Sequence, residues 1–181
     1  KEKDKSAIIK DCHAPKRPES LSCEIHHVNI KGEEWTILVG LLNERPYEIM
    51  GGLAKYVEIP KKYKEGEVIK ISRKTVNSRY DLKFGENGDE VVVKDIVAIF
   101  DNPNHGALTR SISLSLRHGV PIQFVVDQLQ KDNTSDMFSF SKVISRVLKK
   151  YVIDGVKGSG KCFNCKSSNL TSFLFSLLAL T

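Results

Sequence analysis

The residues best suited to chemistry lie near the end of the chain, at Cys162-Phe163-Asn164-Cys165. Two thiols separated by two residues can close a small disulfide, exchange electrons with another disulfide, or supply half of a tetrahedral zinc site. A complete zinc site wants a second pair downstream, and the sequence holds none there. An inert remnant has the same spacing. The pair follows Gly155, Gly158, Ser159 and Gly160, a composition expected to act as a flexible tether, and a thiol pair on a mobile arm suits exchange between a reductant and a distant target. Lys161 and Lys166 flank the pair, and their charge favours the thiolate.

Other candidate ligands are weaker. Cys12-His13 and Cys23 with His26 and His27 have loosely metal-like spacing, but the intervening arm, with its prolines and charges, fixes nothing. Cys23, at the start of a strand pattern, reads as a small core residue. His105 and His118 bracket a helical segment with no Ser or Cys nucleophile at a recognisable spacing, and read as helix-end residues. Gly51-Gly52 reads as a turn. Gly155 to Gly160 with Lys161 has phosphate-loop spacing, yet Cys162 stands where a hydroxyl is needed and a helix precedes where a strand should.

The elements that would position these residues follow from periodicity. Residues 1–20 are charged, contain Pro15 and Pro18, and read as an extended linker or arm. Strand patterns follow at Cys23–Ile30, Trp35–Leu42, Tyr47–Met50, Val68–Arg73, Arg79–Phe84 and Val91–Phe100, with turns at Lys31-Gly32, at Asn43-Glu44-Arg45-Pro46 and at Glu86-Asn87-Gly88-Asp89. The run Trp35–Leu42 is apolar enough to be buried on both faces. The period then becomes helical. Asn102-Pro103 caps a helix carrying Leu108, Ile112 and Leu116, which Gly119 closes; Pro121 opens a second with Ile122, Val125, Val126 and Leu129. A third places Phe140, Val143, Ile144, Val147, Leu148 and Tyr151 on one face and Lys142, Arg146, Lys149 and Lys150 on the other. Strands first and helices last predict an α+β domain at 21–154: an antiparallel, β-rich part, about three helices packed on the sheet, and a flexible Cys-containing tail at 155–181.

At 181 residues, with hydrophobic residues at 40% and charged residues at 28%, the composition excludes a fully disordered chain, collagen and a disulfide-stapled miniprotein. Lys+Arg 28 against Asp+Glu 22 leaves +6, too modest an excess to mark a dedicated nucleic-acid binder. Two stretches, 61–79 and 141–166, are strongly basic, and 80–101 between them is acidic. The basic stretches are either solvated faces or surfaces for an acidic partner. The first ten residues lack an apolar signal core, the chain starts without Met inside a charged run as a piece of something longer would, and the cell interior is the expected compartment. The uncharged stretch Asn169–Thr181 is too short to span a bilayer, which takes about 20 residues.

Several blocks together carry a resemblance. Ala14-Pro15-Lys16-Arg17-Pro18, Arg45-Pro46-Tyr47-Glu48-Ile49, Gly106 to Arg117 (Gly-Ala-Leu-Thr-Arg-Ser-Ile-Ser-Leu-Ser-Leu-Arg), Gly119-Val120-Pro121 and Val125 to Leu129 resemble the C-terminal region, the TSCPD domain, of adenosylcobalamin-dependent ribonucleotide reductases. The likeness covers approximately Ala14 to Gly155, and Cys162 and Cys165 resemble that family's cysteine-bearing tail. It implies an accessory segment of an enzyme that makes deoxyribonucleotides by radical chemistry in a barrel upstream of Lys1, where the cobalamin and substrate would bind. Cys162 and Cys165 would re-reduce the barrel disulfide and be recharged by a thioredoxin-type reductant; the alternative role for the same two residues is zinc binding. The chain departs from the family where Leu170 to Leu180 continues apolar and cysteine-free, as a truncated or frame-shifted end would. A second reading is a free-standing module whose basic third helix meets nucleic acid or an acidic protein, although the aromatic residues such a nucleic-acid face wants are mostly in apolar runs.

Overall fold

A computed structural model of the chain describes residues 14–72, 78–85, 88–100, 102–131 and 139–152. Six antiparallel strands form one sheet: β1 (Ser20–Ile30), β2 (Glu33–Leu42), β3 (Arg45–Leu53), β4 (Glu65–Ile71), β5 (Arg79–Phe84) and β6 (Val91–Val93), in the order β3-β2-β1-β4-β5-β6. The helices are α1 (Ile96–Ile99), α2 (Pro103–Arg117), α3 (Ile122–Lys131) and α4 (Phe140–Leu148). This is the α+β arrangement expected from strands followed by helices.

Hairpin chemistry sets the register. Lys31 and Gly32 both have positive φ (48° and 87°), as do Asn43 and Glu44 (51° and 61°). Both are two-residue loops of the kind whose twist matches the flanking strands. They place Ile30 opposite Glu33 and Leu42 opposite Arg45. The second turn is therefore tighter than the four residues expected, and Arg45-Pro46 opens β3, where proline is tolerated because β3 lies at the sheet edge.

Both faces of the sheet are covered, which is why the centre of β2, Ile37, Leu38 and Val39, is apolar without alternation. On one face Ile30, Trp35, Ile37, Val39 and Ile49 meet the apolar stripes of α2, α3 and α4; on the other, Cys23, Ile25, Leu38, Val68 and Leu82 pack with Val57, Ile59, Ile96 and Phe100. Val143, Ile144, Val147 and Leu148 of α4 are fully buried, and each contributes roughly 1.5–3 kcal/mol by leaving water. Helix α2 starts as its sequence dictates: Asn104 and His105 N–H groups donate to the Asn102 side chain, Pro103 takes the first position, and Gly119 has φ +75° beyond the last turn.

Two expectations fail locally. The run Val91–Phe100 is not one strand. It leaves the sheet after Val93, and Asp95, held at φ 53° with its N–H on the Asp81 carboxylate, starts the one-turn α1. Ile96 and Phe100, four apart, then share one core, a helical pairing hidden inside a β-branched run. Gly51-Gly52 is not a turn but part of β3. A Cβ on Gly51 would lie 2.7 Å from the Thr36 carbonyl oxygen, and one on Gly52 would meet the Phe100 ring; close approach is what selects glycine there.

Candidate functional site

Three of the family-like sequence blocks converge on one carboxylate. Glu48, in edge strand β3, is 1% exposed. The Arg17 guanidinium donates to both of its oxygens, Nη2 to Oε1 at 2.7 Å and Nε to Oε2 at 2.9 Å. Arg117, at the end of α2, donates from Nη2 to Oε2 at 3.0 Å. Gly40 makes room, since a Cβ there would lie 2.7 Å from Glu48 Cγ. Each arginine also lies over a tyrosine ring, Arg17 over Tyr80 and Arg117 over Tyr47, and Tyr47 Oη–H donates to the Pro15 carbonyl at 2.7 Å. Residues on the N-terminal side of β1 are thereby anchored to the sheet edge. One carboxylate faces two guanidinium groups, so the cluster keeps an excess positive charge.

Beside this cluster runs an open groove of about 1230 Å³ between β3, α1 and α2, lined by Met50, Tyr80, Val97, Arg110, Leu114 and Arg117 among others. Its wall is held by Ser113. The Ile49 N–H donates to Ser113 Oγ at 3.0 Å, and the Ser113 hydroxyl donates to the Thr109 carbonyl at 2.7 Å. Polar groups of the edge strand are thus satisfied by the helix that covers it. Arg117 Nε is buried without a hydrogen-bond partner among the described residues.

A second polar network ties α4's end to β1. Tyr151 Oη–H donates to Glu24 Oε2 at 2.7 Å, and His26 Nε2 lies 2.7 Å from the same hydroxyl oxygen. Since the tyrosine proton is spent on Glu24, Nε2–H donates and Nδ1 is left as the acceptor for Lys150 Nζ, 3.4 Å away. His26 is therefore neutral. Burial, then the Lys150 cation, pull its pKa down to about 4. Burial and the Glu24 carboxylate push Tyr151 up.

Cys162 and Cys165 lie outside the described residues, as do Cys12, His13 and the Gly155–Lys161 run. Cys23 is a buried free thiol, raised to about 12 by burial first and the nearby Glu48 charge second. His26 is an even-numbered strand residue and Cys23 an odd one, so they face opposite sides of the sheet. Among the described residues no three His, Cys, Asp or Glu side chains are grouped to hold a metal ion. His105 stacks on Phe140, centroids 4.0 Å apart, and its pKa is lowered by burial. His118 Nδ1 lies 2.8 Å from the Leu114 carbonyl, so that nitrogen carries the proton and the ring serves as a helix-end group. Arg17, Glu48, Arg110 and Arg117 escaped assignment from sequence; the one usable signal is a lone carboxylate inside the apolar stretch Tyr47–Met50.

Residues 21–153 match the family model described as the NrdJ homologue C-terminal domain. The chain belongs to that family, and so is related to the C-terminal region of NrdJ-type ribonucleotide reductases. No curated protein and no solved structure matches it. No helix among the described residues is long and apolar enough to cross a membrane.

Proposed function

We propose that the chain is the TSCPD-type C-terminal segment of a class II, adenosylcobalamin-dependent ribonucleotide reductase, acting in the cytoplasm beside an upstream catalytic barrel. The observation that carries this reading is the family match over residues 21–153, followed directly by the Cys162–Cys165 pair. In this reading the cobalamin binds the upstream barrel; among the described residues the groove lining holds no imidazole or thiol.

The domain, 21–154, is the dock, and 155–181 carries the working thiols. One tail thiolate attacks the barrel disulfide, forming a mixed disulfide and releasing a barrel thiolate. The second tail thiol then displaces the first bond, leaving the barrel dithiol reduced and Cys162–Cys165 oxidised. A thioredoxin-type dithiol returns the two electrons. The basic-module alternative is less well supported, because Lys142 of α4 donates to the Gln130 carbonyl and Lys150 to His26.

The test uses the reductase with its barrel. A Cys162→Ser variant, reduced beforehand, is expected to complete one turnover and then fail to recycle with a thioredoxin-type reductant. Sustained turnover by that variant overturns the reading. Stoichiometric zinc lost on the same substitution assigns the pair to a structural metal site instead.

A further inference from the structure

The geometry points to the groove between β3, α1 and α2 as a docking surface for a peptide segment of a protein partner, one that places an acidic side chain next to apolar ones. Shape separates this from an enclosing small-molecule site. The groove, about 1230 Å³, lies open along its length, whereas common ligand pockets enclose most of their ligand. It is an open trough with a rigid floor, where Ser113 stitches α2 to the edge strand.

Charge decides the chemistry of the occupant. Arg110 projects from the exposed face of α2 and forms no ion pair with a carboxylate among the described residues. Gly106, one turn before it, allows close approach; a Cβ there would lie 3.3 Å from Arg110 Nη1. Arg117 shares Glu48 with Arg17, so its charge is only partly neutralised. Among the described residues, one lining carboxylate, Asp95, stands against these. The described residues therefore leave an excess of positive charge along α2.

Apolar surface lies between the charges. Leu114 is 58% exposed and Val97 38% exposed, and both line the groove with Met50. Large aliphatic side chains in a cationic trough suit a segment that buries leucine-like residues on them and presents a carboxylate to Arg110 and Arg117, a bidentate geometry that guanidinium groups favour. The inference does not depend on the reductase reading. The occupant is defined by its chemistry, an acidic segment carrying aliphatic side chains, and failure of disulfide recycling would leave the inference untouched.

The experiment measures fluorescence anisotropy of the full chain with a labelled hexapeptide alternating leucine and glutamate. Its partner probe has glutamine at each glutamate. The glutamate peptide is expected to bind at least tenfold more tightly, about 1.4 kcal/mol, and to weaken as salt screens the arginines. Arg110→Glu and Leu114→Asp, both exposed and away from the core, should each cost at least tenfold with unchanged melting temperatures. Equal binding of the two peptides, or no effect of Arg110→Glu, overturns the proposal. Displacement of the peptide by inorganic phosphate well beyond that by sodium chloride at equal ionic strength also overturns it, and marks a small-anion site instead.

Discussion

Arg17 and Glu48, 31 residues apart in the chain, close on one another through two short hydrogen bonds in a pocket where their side chains are 6% and 1% exposed. Such a pair pins the chain segment before β1 to edge strand β3. Its net worth is small when intact, because desolvation offsets attraction, but breaking it from one side is costly.

Glu48→Gln removes the charge and leaves two guanidinium groups, Arg17 and Arg117, facing each other across a neutral amide. The variant is expected to lose about 3–5 kcal/mol, read as a lower urea midpoint with unchanged slope. Arg17→Ala should be milder, because Arg117 still partners the carboxylate. A Glu48→Gln midpoint equal to the parent's would show that the cluster adds nothing to stability.

Helix α4 supplies the centre of the helical layer. Ile144 has no exposed surface and sits among Val143, Val147 and Leu148. Ile144→Asp deletes apolar contacts and buries a carboxylate without a partner, expected to cost at least ~4 kcal/mol. Calorimetry is the direct check: an unchanged melting temperature would mean that α4 does not hold the sheet.

Much of this architecture was legible from periodicity. Ile112 and Leu116, Val125, Val126 and Leu129, and the α4 stripe all reached the core they were expected to form. Asn102, Pro103 and Gly119 sit at the ends they signal, and the apolar run of β2 is covered on both faces. Local pattern failed where tertiary contact overrode it. Val91–Phe100 reads as continuous strand because valine and isoleucine favour sheets, and no short-range signal reveals that Asp81 captures the Asp95 N–H and bends the chain away. The Arg17–Glu48–Arg117 cluster was illegible for another reason. Its members lie on three distant segments, and only the sheet together with the packing of α2 on β3 brings them together.

Acid should loosen the Glu24–Tyr151–His26 network. His26 has its pKa lowered from 6.5 to about 4 in the folded chain, so the unfolded chain binds the extra proton first as pH falls. Stability contributed by neutral His26 is complete above about pH 6.5 and is lost progressively down to pH 4. Allowing for residual solvent screening, the loss is about 2 kcal/mol. A His26→Gln variant, which cannot titrate, should show a flatter dependence of unfolding free energy over that window. Parallel curves for parent and variant would place the acid sensitivity elsewhere.

Thiol reactivity offers a check that separates core from tail. Cys23 is 2% exposed, and burial with the Glu48 charge raises it to about 12. At pH 8 its thiolate fraction is then on the order of 10⁻⁴, and a reagent must also wait for β1 to separate from its neighbours. Cys162 and Cys165, each beside a lysine, are expected to react first. Alkylation followed by peptide mapping should therefore show label at Cys162 and Cys165 within minutes, with Cys23 modified only after denaturant is added. Cys23→Ala should leave that tail labelling unchanged and cost about 1 kcal/mol in stability, since only a small apolar group is lost. Native-state labelling of Cys23 as fast as that of the tail pair would mean that β1 opens readily from the sheet, against the burial that defines this core.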